Sequence, residues 1–201
     1  MLRNKKLMIE YAMEQNKDVI RLAADLLSDS IVDGPGLRTV IWTQGCSHHC
    51  KNCQNPQTWD FNGGGEVPID LVCEAIDELE GQDGITFSGG DPMFQVDACL
   101  KIAKYCKEKG YNIWVYTGFT YEQILVLSKK KKSYMEFLRC IDVLVDGKFV
   151  EEEKDLNLLF RGSRNQRLID VKKTLEEGRV ILLDEYHYME KETFRRIPMF
   201  V

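Results

Sequence analysis

Three cysteines in one short stretch are the residues of this sequence best suited to chemistry. Cys46, Cys50 and Cys53 form a CxxxCxxC pattern. Thiolates ligate zinc and iron–sulfur clusters. A [4Fe–4S] cluster usually takes four cysteines, so three would leave one iron open for a substrate. A zinc site with His48 or His49 as the fourth ligand is the alternative, and the spacing alone does not decide between the two.

Polar motifs follow the strands that the sequence predicts. Each predicted strand is rich in β-branched or aromatic residues and runs into Gly, Ser, Thr or Asp. In parallel β/α folds the carboxyl ends of the strands form one face, and that face holds the site. The strands are 38–43, 84–88, 112–117 and 141–145, and the motifs after them are Gly45–Cys53, Ser88–Pro92, Thr117–Gly118 and Asp146–Lys148.

Amphipathic helices separate these strands. Apolar residues at helical spacing predict a helix over 69–79 and a second over 96–106. A helical stretch from about Thr120 to Leu138 is expected to break at the lysines 129–132. Two more strands are predicted near 20–27 and 179–183.

Strands that alternate with helices predict an α/β fold with a parallel sheet. A complete (β/α)₈ barrel typically needs roughly 250 residues. We therefore expect a single-domain, incomplete β/α barrel over residues 19–201, preceded by an N-terminal extension over residues 1–18.

Composition excludes several classes of protein. The chain has 201 residues, 44% hydrophobic and 29% charged, which is typical of a globular domain and not of a disordered or fibrous chain. A net charge of −5 argues against nucleic acids and anionic membranes as partners. No run approaches the ~18 apolar residues of a membrane span, and no signal peptide is visible, so we expect a cytoplasmic protein.

Cysteine usage points in the same direction. Seven cysteines, three of them clustered, indicate metal or redox chemistry in a reducing compartment, not disulfides. The four others lie on predicted apolar helix faces or beside a strand, which favours buried core thiols over ligands. They are Cys73, Cys99, Cys106 and Cys140.

Together, the motifs resemble a known family. CxxxCxxC, preceded by Asp33–Arg38 and followed by Gln54–Asp60, is similar to the radical S-adenosylmethionine (SAM) enzymes that activate glycyl-radical enzymes. Within that group the sequence resembles the activating proteins of anaerobic ribonucleoside-triphosphate reductases. The stretches that carry this closer resemblance are Ser88–Pro92, Trp114–Gly118, Asp142–Val150 and Arg161–Gln166.

The resemblance implies the cofactors and their sites. Cys46, Cys50 and Cys53 would ligate a [4Fe–4S] cluster and form the catalytic centre, and the open iron would chelate the amino and carboxylate groups of SAM. Gly89 and Gly90 would let the backbone approach SAM and tolerate positive φ, and the carboxylate of Asp91 would pair with the ammonium group. The candidate SAM-binding residues are Asn52, Cys53, Gln54, Ser88, Gly89, Gly90, Asp91, Asp146 and Lys148.

The resemblance also implies an activity and partners. Reductive cleavage of SAM would give a 5′-deoxyadenosyl radical that removes a hydrogen from a glycine of anaerobic ribonucleoside-triphosphate reductase, with a low-potential donor such as flavodoxin supplying the electron. An activase of pyruvate formate-lyase, 7-carboxy-7-deazaguanine synthase and a non-catalytic zinc module are the alternatives. Arg161–Gln166 is either a docking segment for the reductase or a solvated loop.

Overall fold

The computed structural model describes residues 18–183 and Tyr186, and these residues build a mixed sheet of eight strands with helices packed against it. All of the predicted N-terminal extension except Asp18 lies outside the described residues. The sheet order is β4-β1-β3-β5-β6-β7-β8, with β2 paired to β3. The strands are β1 (Val19–Leu22), β2 (Leu27–Ser30), β3 (Arg38–Thr43), β4 (Gly65–Pro68), β5 (Gly84–Gly89), β6 (Asn112–Tyr116), β7 (Val143–Asp146) and β8 (Arg167–Asp170).

The four central strands run parallel, as the sequence predicts. β3 pairs with β5, β5 with β6 and β6 with β7, each in parallel register. Most of their residues are buried, which is typical of a parallel sheet that is covered on both faces. The register sets Thr43 beside Gly89 and Tyr116 beside Val145. The carboxyl ends of these strands therefore meet at one edge of the sheet.

The helices agree closely with the predicted ones. The second helix buries Val96, Cys99 and Ala103 at the predicted helical spacing. The helical stretch after Thr120 is indeed divided at the lysines, and Thr120 caps its first half by accepting a hydrogen bond from the backbone N–H of Gln123. The helices are α1 (Ile69–Asp77), α2 (Val96–Glu108), α3 (Tyr121–Ser128), α4 (Ser133–Cys140) and α5 (Val171–Glu177).

The outer strands of the sheet differ from the prediction. β1 pairs antiparallel with β3 and β4, β2 pairs antiparallel with β3, and β8 pairs antiparallel with β7. The prediction of a strand over 179–183 is wrong, because these residues form no strand and make only an isolated β-bridge, Ile169↔Leu182. β8 occupies the edge beside β7 instead, and Asp170 at its end caps α5 by accepting a hydrogen bond from the N–H of Lys173.

The core lies between the sheet and the helices. Cys99 and Cys106 are fully buried in it, and Cys73 and Cys140 pack against it. The guanidinium of Arg38 is buried as well and donates to Thr86, Asn112 and backbone carbonyls. Burial lowers the pKa of Arg38 to about 10. Within residues 18–183, no helix has the length and apolar character that a membrane span needs.

Candidate active site

A cavity of about 470 Å³ opens at the carboxyl ends of the parallel strands. Residues from all four motifs that follow those strands line this cavity, so the predicted convergence of the motifs at one edge of the sheet is confirmed. The candidate residues that line it are Cys46, Cys50, Cys53, Gln54, Ser88, Gly89 and Gly90, and they are joined by Thr117, Gly118, Gly147 and Arg161.

The cysteines reach this cavity from one loop with an unusual backbone. His49 and Asn52 both have positive φ, 47° and 54°, a region that residues other than glycine seldom adopt. The backbone N–H of Cys46 donates to the carbonyl of Trp59 at 3.1 Å, and that of Cys53 donates to the carbonyl of Cys50 at 3.1 Å. Such conformations concentrate at ligand sites, and the three cysteines of this loop all line the cavity.

The three thiols suit a ligand that contains metal ions. Burial raises the pKa of the Cys46 thiol to about 11 and also raises the pKa of Cys50. Neutral thiols are poor ligands, and a bound metal deprotonates such thiols outright. The donor set therefore fits an iron–sulfur cluster, which would hold these cysteines as thiolates.

A single zinc ion is the alternative occupant of this site, and it would need four ligands around one ion. A four-iron cluster would instead bind each thiolate to a different iron around a common cavity. His48 is also engaged elsewhere, with its Nε2 2.7 Å from Oδ2 of Asp91.

The Ser88–Asp91 segment packs directly against the cysteine loop. The N–H of Gly90 donates to the carbonyl of Thr43 at 2.7 Å, and the N–H of Asp91 donates to the carbonyl of Gly45 at 3.0 Å. Positive φ is found at Gly89, 103°, and not at Gly90. A Cβ at Gly90 would lie 2.5 Å from the carbonyl oxygen of Gly45, so protein backbone crowds this glycine.

Four candidate SAM-binding residues do not line the cavity, namely Asn52, Asp91, Asp146 and Lys148. Asn52 and Lys148 are exposed. Asp91 and Asp146 are each 1% exposed. The carboxylate of Asp146 accepts hydrogen bonds from the N–H of Tyr121 and from the guanidinium of Arg167, which ties β7 to α3 and β8.

The 161–166 segment is hydrogen-bonded to the strand-end residues beside it. The Gln166 side chain accepts from the N–H of Gly162 and donates to the carbonyl of Gly147, and Asn165 donates to the carbonyl of Lys148. Arg161 lines the cavity, whereas Arg164 is largely exposed and pairs with Asp155. The two arginines that the sequence grouped together therefore face different surroundings.

Several lining residues carried no signal in the sequence. Ile31 and Val32 line the cavity although their exposed fractions are 69% and 70%. Apolar residues in loops are common, so only the fold reveals this placement. Trp59 lines the cavity and its ring contacts His49 at 4.8 Å, while Trp114 is buried in the core. Other lining residues that were not among the candidate site residues are Trp42, Tyr116, Phe149, Leu158 and Phe160, of which Tyr116 and Phe149 lie in stretches that carry the family resemblance.

Comparison with known proteins adds a family. The model of the 4Fe-4S single cluster domain matches residues 32–169. The chain is 36% identical over 148 residues to the anaerobic ribonucleoside-triphosphate reductase-activating protein of Haemophilus influenzae, covering 68% of this chain and 89% of that protein. Proteins of the same name from Escherichia coli K12 and Enterobacteria phage T4 are 36% and 33% identical over 144 and 143 residues, covering 68% of this chain and 90% and 86% of those proteins.

Among solved structures, QueE from Escherichia coli matches with a TM-score of 0.43 and 15% identity over 57% of each chain. The sequence relatives are matched over most of their length, and the cluster-domain model spans more than half of this chain. The family resemblance of the motifs is thereby confirmed. The chain belongs to the family of anaerobic ribonucleoside-triphosphate reductase-activating proteins.

Proposed function

We propose that this protein is a radical SAM activase that generates a glycyl radical on anaerobic ribonucleoside-triphosphate reductase. The observation that carries the proposal is the convergence of Cys46, Cys50 and Cys53 with Ser88–Gly90 on one cavity. The family relationship supplies the partner's class, because the relatives bear that reductase in their names.

The residues of this chain divide the work among them. The three cysteines would hold a [4Fe–4S] cluster, which when bound supplies the electron that cleaves the sulfur–carbon bond of SAM. The backbone of Ser88–Gly90 borders the cavity next to the cysteine loop, and it would position SAM there. Cys46 is 7% exposed, so this cluster ligand is largely shielded from solvent. Enclosure of this kind protects a radical from side reactions.

The outer side of the site is exposed, and partner proteins would approach the site there. Cys50 and Cys53 are only partly buried and Lys51 between them is exposed, so a low-potential donor such as flavodoxin could approach there. The protein substrate would reach the cavity at the mouth that Ile31 and Val32 border. Both partners, and a cytoplasmic site of action, belong to this proposal.

Cluster reconstitution without oxygen tests the metal site. Cys46→Ala, Cys50→Ala and Cys53→Ala should each lose cluster iron and the reductive cleavage of SAM together. Cys73→Ala is the matched control, because its thiol packs against the core and lies outside the cavity. A variant of the three that keeps an intact cluster and cleaves SAM would refute the ligand assignment.

The reductase assay tests the partner. With the reductase present, the electron paramagnetic resonance signal of its glycyl radical is compared with the 5′-deoxyadenosine that the activase forms alone. Arg161→Ala should lower both quantities, because Arg161 lines the cavity. Arg164→Ala should lower only the glycyl-radical signal if the outer face of this segment contacts the reductase. No radical on the reductase with active wild-type protein would contradict the proposed partner.

A further inference from the structure

The carboxylate of Asp91 is completely occupied by groups of its own chain. Its Oδ1 accepts from the N–H of Met93 at 2.9 Å, and its Oδ2 accepts from the N–H of Gly118 at 2.9 Å. The hydroxyl of Thr117 lies 3.0 Å from both oxygens. Nε2 of His48 is 2.7 Å from Oδ2, and because a carboxylate only accepts, Nε2 is the donor.

These four donors fill the acceptor capacity of the group. A carboxylate offers about four lone-pair sites. Asp91 is 1% exposed and does not line the cavity. An ammonium group in the cavity would have to displace one of the four donors and leave it unsatisfied in a buried place. The structure therefore speaks against a direct contact between Asp91 and a ligand.

The His48 end of this network belongs to the cysteine loop. His48 stands between Cys46 and Cys50 in the sequence, and its side chain is 9% exposed. Its ring packs edge-on against Phe119 with centroids 4.7 Å apart. A Cβ on Gly118 would lie 2.3 Å from Cδ2 of His48, so the ring sits where only glycine leaves room. The imidazole is thus locked in position from two sides.

We propose that Asp91 is a positioning residue that acts through His48 to fasten the cysteine loop to the ends of β5 and β6, and that it does not bind the ammonium group of SAM. The inference rests on the proposed function in that the loop holds a cluster and the cavity takes SAM. One buried carboxylate joins the middle of the cysteine loop to Thr117 and Gly118, so Asp91 acts by holding that loop in place. The spacing of the cluster ligands then depends on this anchor.

A readout without SAM separates the two roles. Asp91→Asn and His48→Gln should each change the electron paramagnetic resonance spectrum of the reduced cluster before SAM is added, because the ligand loop shifts. A residue that only binds SAM would leave that spectrum unchanged. Gly118→Ala should produce the same change with Asp91 intact, since the added methyl group would displace the His48 ring. Asp97→Asn is the control, being an exposed carboxylate on α2 that pairs with Lys131.

Affinity for SAM in a double-mutant cycle gives the second test. If Asp91 acts through His48, Asp91→Asn in the His48→Gln background should weaken SAM binding by less than about 2-fold. A direct charged contact instead predicts a loss of roughly 10-fold or more in both backgrounds. Additive losses with a SAM-free spectrum like that of wild type would overturn the inference. Wild-type protein that binds neither cluster nor SAM would refute the proposed function itself, which keeps the two failures distinct.

Circular dichroism guards against variants that do not fold. Asp91 also accepts from the N–H of Met93 at the start of a short 3₁₀ helix, Pro92–Gln95. Asparagine can keep that cap but loses the second acceptor oxygen, on which the N–H of Gly118 and His48 converge, so Asp91→Asn loses some stability. His48→Gln leaves that cap untouched and carries the test if Asp91→Asn unfolds. A folded His48→Gln protein with the wild-type SAM-free spectrum would also overturn the inference.

Discussion

Substitution of Gly90 tests how tightly the cysteine loop and the Ser88–Asp91 segment are packed. In Gly90→Ala the new Cβ would lie 2.5 Å from the carbonyl oxygen of Gly45. Ordinary contact begins near 3.4 Å, so one of the two segments must move by about 0.9 Å. Because Gly45 directly precedes Cys46, we expect the movement to reach the first cluster ligand.

The magnitude follows from the contacts that would be disturbed. Forcing an extra methyl group into a packed site typically costs about 1–3 kcal/mol. The shift also weakens the hydrogen bond from the N–H of Asp91 to Gly45, and one such bond contributes about 0.5–1.5 kcal/mol. Gly90→Ala should therefore lower the free energy of unfolding by about 2–4 kcal/mol.

Urea denaturation of the metal-free, reduced protein measures this loss, and iron content after reconstitution measures its effect on the cluster. Gly65→Ala in β4 is the matched control, because nothing lies within 4 Å of a Cβ at that position. Gly65 does not have a positive φ, so alanine is not strained at that position. Gly65→Ala should therefore change the free energy of unfolding by less than about 1 kcal/mol. Equal stability of the two variants would refute the packing argument.

Three further predictions concern the surroundings of the site. Arg167→Ala should lower the free energy of unfolding by about 3–5 kcal/mol in urea, because it strips the cation from the buried carboxylate of Asp146; a loss under about 1 kcal/mol would contradict this. The same arginine lowers the pKa of Glu122 from 4.5 to about 2. Because the pKa is depressed in the folded state, the Glu122–Arg167 pair contributes stability above pH 4.5 that is lost as the pH falls toward 2. The contribution is less than about 1 kcal/mol because Glu122 is half-exposed. Glu122→Gln should flatten this part of the profile of unfolding free energy against pH. Asn52→Val should lose about 1–2 kcal/mol by urea denaturation through its positive φ, whereas a loss of that size in Asn52→Gly would argue against backbone strain.

Local patterns in the sequence were sufficient for the central part of the fold. The bounds of β3 and the start of α1 at Ile69 follow from β-branched runs and helical spacing within a few residues. The division between α3 and α4 follows from the lysines. Convergence of the motifs then follows from the geometry of parallel strands, which needs no long-range information.

Short strands and distant contacts could not be predicted in the same way. β2, β4 and β8 have four residues each and contain charged residues, so they lack the apolar β-branched run that identifies β7, which is equally short. The partners of Asp91 lie up to 43 residues away in sequence, so its hydrogen bonds depend on the completed sheet. The same holds for Gly90, for which the sequence indicated only close approach to a ligand, whereas a Cβ there would meet the backbone of Gly45.

The order in which the chain is synthesised gives the cysteine loop a further significance. All three cysteines lie within eight residues, so gathering them closes only a very short loop and costs little chain entropy. Asp91 and Thr117, which anchor the loop through hydrogen bonds, emerge from the ribosome about 40 and 65 residues later. The ligands are thus complete well before the anchor exists. The cysteine loop can therefore take its final position only after the residues that follow β5 and β6 have been synthesised and have joined the sheet.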